Sequence, residues 1–178
     1  QCLSLAWLEK ALIETPDAAW LMLQNETNLV PEAAQMAHDR GMKVAYSAAP
    51  FDAAAVEAVL PHVTLLIMNA VEEAQLRAAM GVSETGLPCP QVLVTKGPDG
   101  AVWRSGAETV SVPAFPVKPV DTTGAGDTFA GYAVAGFAQG LSPDKALRRA
   151  SAAAALCVTK KGTADAIPSS AEVNAFLG

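Results

Sequence analysis

The chain has 178 residues, of which 51% are hydrophobic and 17% charged, with a mean hydropathy of +0.26 and a pI near 4.8. A chain of this length and composition folds around one domain's core and is not a disordered polymer. Its 12 Lys and Arg stand against 18 Asp and Glu, for a net charge of −6, with no basic run. That balance disfavours nucleic acid or an anionic membrane surface and leaves small molecules as the expected partners. Cys2, Cys89 and Cys157 are scattered, odd in number and free of metal-like spacing, so a reduced, cytoplasmic setting without structural zinc is expected. His38 and His62 lie far apart in sequence and near no other candidate ligand. No apolar run has the length of a membrane span, and nothing resembles a secretion signal.

Leu3, Leu5, Leu8 and Leu12, with Trp7 and Ile13, repeat at helical spacing until Thr15-Pro16-Asp17 stops them, so the chain reads as opening in mid-fold at Gln1. Residues 18–23 read as a buried strand and 31–40 as a helix closed by Gly41. Residues 43–48 read as a strand, and 51–60 as a helix ended near Pro61. Residues 63–68 form a continuous apolar run, the pattern of a parallel strand covered on both faces. This β-α-β rhythm predicts an α/β fold with a mostly parallel sheet between helices. Asn69-Ala70-Val71-Glu72-Glu73 then opens a helix to about Met80. Ligands of such sheets sit beyond the carboxyl ends of strands, so Asn69 and Glu72 are placed for a metal or a phosphate. The same spacing forms a capping box, and both readings hold at once.

Residues 81–90 read as a loop and 91–95 as the next strand, followed by a turn at Pro98-Asp99-Gly100. Residues 101–105 and 108–114 form a hairpin around Gly106. A helix is expected from Asp127 to near Gly140. Another follows from a Ser142 cap to about Thr159, thin at Ala152 to Ala155, and a short one runs over residues 172–177.

Between hairpin and helix lies Val120-Asp121-Thr122-Thr123-Gly124-Ala125-Gly126-Asp127-Thr128-Phe129-Ala130-Gly131. Two glycines, an aspartate and an apolar helical pattern describe a tight turn feeding a helix N-terminus, which binds anions through unpaired N–H groups and the positive dipole end. A dinucleotide-binding fingerprint requires a glycine where Phe129 stands, and a Walker loop requires a lysine where Tyr132 stands, so neither fits. Taken alone, Asp127 reads as an N-cap behind turn-forming glycines.

The run from Asp121 to Gly131 resembles the C-terminal signature of the ribokinase-like (PfkB-type) sugar kinase family. The resemblance implies a three-layer α-β-α, Rossmann-like sandwich, with residues 1–178 as the C-terminal nucleotide-binding portion of a single kinase domain. It implies that Gly124, Ala125 and Gly126 form the anion hole for the transferred phosphoryl group and that Asp127 is the catalytic base. Asn69 and Glu72 match the family's Asn-x-x-Glu motif, whose glutamate organises magnesium and its waters around the nucleotide phosphates. The run Val92 to Gly100 resembles the family's strand and nucleotide turn, which implies Thr95, Gly97 and Gly100 as nucleotide contacts. Ala150, Ala153 and Ala154 correspond to the wall of the adenine site. Lys160-Lys161-Gly162-Thr163-Ala164 matches the segment that contributes carbonyls to a monovalent cation, with Asp121 and the carbonyl of Thr123. A solvated loop with two lysines is the alternative there.

The resemblance runs from the first strand to the last helix but corresponds to little over half of a complete family enzyme. The front part, with the lid that would mediate a homodimer and most acceptor contacts, lies outside it, so acceptor binding by these residues alone is expected to be poor. Relatives mostly place a helix between residues 81 and 90, a stretch short for one here. The implied activity is ATP-dependent phosphorylation of a primary hydroxyl on a sugar or sugar-like molecule, with ATP, Mg2+ and K+ as cofactors. Within that class a nucleoside, a ketodeoxy acid or a sugar phosphate could be the acceptor. The alternatives are a non-catalytic nucleotide- or sugar-binding member, against which the intact Asp127 and glycines argue, and a truncated piece, for which the start at Gln1 is the cue.

Overall fold

The computed structural model describes residues 2–178; Gln1, where the sequence reads as opening in mid-fold, lies outside the described residues. The elements follow the order α1 (Leu5–Ile13), β1 (Trp20–Gln24), α2 (Val30–Asp39), β2 (Lys43–Ser47), α3 (Ala53–Val59), β3 (Leu65–Asn69) and α4 (Ala70–Met80). Then come β4 (Gln91–Thr95), β5 (Ala101–Ser105), β6 (Glu108–Val112), α5 (Ala125–Ala138), α6 (Pro143–Cys157) and α7 (Ser170–Leu177). The strands form a six-stranded sheet in the order β1-β2-β3-β4-β5-β6. β1, β2 and β3 pair in parallel, with Met22 opposite Ala45 and Ser47 opposite Ile67. β5 and β6 are neighbours joined by two residues, a connection that only an antiparallel pair allows, and the sheet is therefore mixed. The expected α/β class, a mostly parallel sheet with flanking helices, is present. By its contacts the chain divides into two compact units.

The first unit comprises residues up to Val94 together with Arg104–Ala107. Helix α1 starts where the Ser4 hydroxyl accepts from the Trp7 N–H at 3.2 Å, and it buries Leu8 and Leu12 while Leu5, Trp7 and Ile13 stay exposed. Val44, Ala45 and Tyr46 on β2, and Leu65 and Leu66 on β3, are fully buried. Successive strand residues point to opposite faces, so both faces of the sheet are covered here, as continuous apolar strands require. Each such Leu or Val contributes roughly 1.5–3 kcal/mol of burial. Tyr46 keeps its hydroxyl satisfied by donating to Asn25 Oδ1, and burial above all pushes its pKa up to about 12. His38 and His62 meet edge to face, with ring centroids 5.5 Å apart. Residues 81–90 contain no helix, because Gly81 closes α4 in the left-handed region and the chain runs through turns to β4. Arg104 on β5 pairs with Glu73 and Glu84, so the buried Glu73 has its counter-ion.

The second unit comprises Thr95–Trp103 and Glu108–Gly178. Helices α5 and α6 are rich in small residues, and this permits close approach: a Cβ on Gly136 would lie 2.9 Å from Cβ of Ala146. Ala152 and Ala153 of α6 and Val173 of α7 form a further buried cluster against Phe115 and Tyr132. The turn between β4 and β5 is equally tight. Gly100 has φ +92, and a Cβ there would meet the carbonyl oxygen of Val112 at 2.0 Å. Gly100→Ala is expected to lower the unfolding free energy by about 2 kcal/mol or more, from left-handed strain and the backbone clash. Gly97→Ala, at φ +57 with nothing within 4 Å, bears the strain alone and should lose about 1 kcal/mol. Urea denaturation of the two variants measures the difference.

Candidate functional site

The turn before α5 is built on Gly124, which occupies the helix N-cap position with φ 77 and ψ 0 and makes no side-chain cap hydrogen bond. The alternative for Asp127 taken alone, a helix cap, does not hold: α5 begins at Ala125, and Asp127 lies inside its first turn. Ala125 N donates to Thr122 O at 3.3 Å, and Thr128 N to Gly124 O at 2.9 Å. First-turn N–H groups have no earlier helical carbonyl to reach. A Cβ placed on Gly126 meets nothing within 4 Å, so the backbone there is open to approach.

Asp121 holds this turn to its surroundings. One carboxylate oxygen accepts from Thr123 N at 3.0 Å, and the other from Gly162 N at 3.3 Å. Val158 O, at the end of α6, accepts from Val120 N at 2.7 Å and Asp121 N at 3.2 Å. The Thr123 N–H first, with the Thr123 side chain and the Gly162 N–H after it, holds the Asp121 carboxyl below the ordinary aspartate range. Lys160 is ion-paired with Glu172 at 2.9 Å, and that bond is the leading cause that pulls the Glu172 pKa down to about 2.

Two cavities open within this unit. The larger, about 640 Å³, is lined by Thr95, Gly97, Gly100, Ala125, Gly126 and Ala154 among the residues expected at the site. Its volume falls in the range of small-molecule pockets. Its apolar wall comes from Phe115, Pro116, Val117 and Pro119 before the turn, with Phe129 and Val158. Those proline and aromatic residues carry a signal, a rigid extended strap, that sequence reasoning passed over as a mere connection. The smaller cavity, about 270 Å³, is lined by Asp127, Gly131, Tyr132, Gln139 and Arg149 among others. Adjacent residues of one turn thus face different cavities. Ala150 and Ala153 are fully buried and line neither cavity; they belong to the helix packing.

Asn69 and Glu72 belong to the first unit. Asn69 Oδ1 accepts from Val71 N and Glu72 N, each at 2.9 Å. Glu72 Oε2 accepts from Asn69 N at 2.8 Å, which completes a capping box. Gln24 ends β1 as Asn69 ends β3, and Asn25 and Glu26 come directly after it. Gln24, Asn25 and Glu26 are polar residues at the carboxyl end of a strand that periodicity alone did not single out, and Asn25 there donates to the carbonyl of Pro50 at 3.0 Å. Among the described residues no group of three His, Cys, Asp or Glu could hold a metal ion, and no helix is long and apolar enough to cross a membrane.

Residues 5–170 match the model of the pfkB family of carbohydrate kinases. The chain belongs to this family. It is 34% identical over 167 residues to a ribokinase of Bacillus subtilis, a match covering 93% of this chain and 56% of the relative. Its structure resembles an Arabidopsis thaliana ribokinase complexed with ribose and ATP, with a TM-score of 0.82, 26% identity, and coverage of 99% of this chain and 60% of that one. It also resembles a ribokinase II from E. coli in complex with ATP and Mg2+, with a TM-score of 0.76, 25% identity, and coverage of 89% and 58%. The chain of this pfkB family member thus spans between half and two thirds of the relatives' own length.

The Asp121 bridge requires an ionised carboxylate. With its folded pKa depressed, the bridge is in place above the ordinary aspartate value of about 3.9 and is lost only as pH falls through the lower folded value. The carboxyl carbon shift of Asp121 should therefore titrate below that of an aspartate in a short peptide, with the Gly162 amide proton moving in step. NMR titration between neutral pH and strong acid checks both.

Proposed function

We propose that this chain is the nucleotide-binding portion of an ATP-dependent kinase that phosphorylates a primary hydroxyl of a sugar or sugar-like small molecule. The observation that carries the reading is the turn at Gly124: its open backbone at Gly126 faces a cavity of about 640 Å³, and an acidic side chain follows in the same turn. The relatives' complexes with ATP, and in one case Mg2+, support the nucleotide assignment. Phosphoryl transfer asks the protein for positioning and charge stabilisation rather than covalent chemistry. In this reading Asp127 accepts the acceptor hydroxyl's proton, and the N–H groups around Gly124, Ala125 and Gly126 hold the phosphoryl oxygens. Thr95, Gly97, Gly100 and Ala154 line the nucleotide's cavity.

Magnesium neutralises charge on the nucleotide phosphates when it is bound. The residues fit that use. Mg2+ keeps several waters and takes one or two carboxylates plus phosphates instead of a full protein cage. Glu72 would serve it through water, with Asn69 fixing the helix start. Asp121, Thr123, Lys160 and Gly162 would surround K+. The Asp121 carboxylate already draws the two loops together, and carboxylate and carbonyl oxygens are the donors an alkali cation takes.

Asp127→Asn is expected to keep the fold and the ATP affinity while turnover falls roughly 10²- to 10⁴-fold. Steady-state kinetics and nucleotide titration of the protein carrying this sequence test it, and wild-type turnover would remove Asp127 from the chemistry. Potassium is expected to raise the rate over sodium or tetramethylammonium at matched ionic strength. Equal rates in all three salts would discard the cation role.

A further inference from the structure

We propose that the smaller cavity is an acceptor subsite that selects a negatively charged group, a carboxylate or a phosphate, at the far end of a polyhydroxylated acceptor, with Arg149 receiving it. The inference rests on the kinase reading of Asp127 and adds the substrate class. Asp127, Gly131 and Ala135 recur every four residues along one face of α5, Gln139 is its C-cap, and all four line this cavity. Arg149 reaches it from α6. Its Nη1 donates to Gln139 Oε1 at 3.0 Å, and its Cζ lies 5.9 Å from the centroid of the Tyr132 ring. These contacts fix the plane of the guanidinium without neutralising it. Among the described residues no carboxylate lies within 4.0 Å of it, whereas Arg40 and Arg104 each have one.

A half-buried guanidinium lining a cavity, with no carboxylate within 4.0 Å among the described residues, is a fork shaped for a carboxylate or phosphate. The cavity's volume, about 270 Å³, lies at the low end for ligand pockets and suits a sugar-sized molecule better than a nucleotide. Asp127 and Tyr132 are separated by about 7.5 Å along the helix at 1.5 Å per residue, a span that a small sugar bridges. The cavity is also polar in the electrical sense, acidic at Asp127 and basic at Arg149. An acceptor with one anionic end is repelled by the first and held by the second, which turns its hydroxyl end toward Asp127.

The test titrates the chain with gluconate and glucose 6-phosphate, and with neutral glucose and ribose, following the amide shifts of Gly131, Tyr132 and Gln139 by NMR. At least one anionic sugar should bind ten-fold or more tightly than glucose even where all binding is weak, and the two anions report which group is preferred. Arg149→Met should abolish the preference and Arg149→Lys restore part of it, with ATP affinity and thermal melting unchanged. Equal affinity for charged and neutral sugars, silence at those three amides, or a preference that survives in Arg149→Met would overturn the subsite. Transfer from ATP is assayed separately. Anionic sugars that bind at these residues, together with no phosphorylation of any acceptor by the whole protein carrying this sequence, would refute the kinase reading and leave the subsite standing. Phosphorylation of neutral acceptors alone would do the reverse.

Discussion

The second unit depends on one backbone constraint, the left-handed Gly124 at the start of α5. A side chain there would cost roughly 1–2 kcal/mol of conformational strain, and its Cβ would also approach Thr163, coming within 3.7 Å of that residue's Cα. Because the residue is left-handed, the chain turns sharply enough for Ala125 and Gly126 to face one cavity and Asp127 another. The turn does not hold itself. Asp121 ties it to the loop at Gly162, and the Val158 carbonyl ties it to the end of α6. A network of this kind costs little in an exposed setting and replaces many loose conformers by one.

Helix α6 is the second organiser, through its smallness. Where α5 and α6 touch at Gly136 and Ala146, no larger side chain fits. Close approach lets one helix serve both cavities: Ser151, Ala154, Ala155 and Val158 face the larger, and Arg149 faces the smaller. Ser151 also donates to the carbonyl of Pro113 at 3.0 Å, which pins the strap that forms the apolar wall. The alanines with no exposed surface, Ala150, Ala152 and Ala153, set the spacing that brings their neighbours to the cavity.

Much of this was legible in residue order. The alternation of apolar runs and amphipathic stretches foretells β1 to α4, because parallel strands buried on both faces have a distinct signature. The glycine-aspartate run marks the turn into α5, because a left-handed position such as that of Gly124 favours glycine. Three features were not legible. The strand β3 starts at Leu65, two residues into the apolar run, because Val63 and Thr64 still belong to the connection that follows a short 3-10 turn at Leu60–His62. The cap is Gly124 and not Asp127, since composition cannot tell a glycine that caps from one that merely precedes a cap. Arg149 reads as a solvated helix charge, and only the crossing of α5 and α6 brings it beside Tyr132 and Gln139. Features set by local chemistry can be read along the chain, and those set by helix crossing cannot.

The two helix starts differ in how their first-turn N–H groups are satisfied. In α4 the Asn69 side chain takes the N–H groups of Val71 and Glu72, and Glu72 takes that of Asn69. That terminus is satisfied by its own residues and has little left to offer a phosphate. In α5 the cap is a glycine with no side chain to spend on the first turn, and the adjoining carboxylate of Asp121 is occupied with Thr123 and Gly162. The first turn of α5 is thus served by no side-chain cap, and its one acidic residue is Asp127; under the proposed reading, the positive end of the helix dipole is where the transferred phosphoryl group would be held. A side-chain cap at position 124 would need extended backbone, so it could form only if the left-handed turn were given up. The helix is left incomplete at the point where the proposed chemistry needs an electrophile held in place.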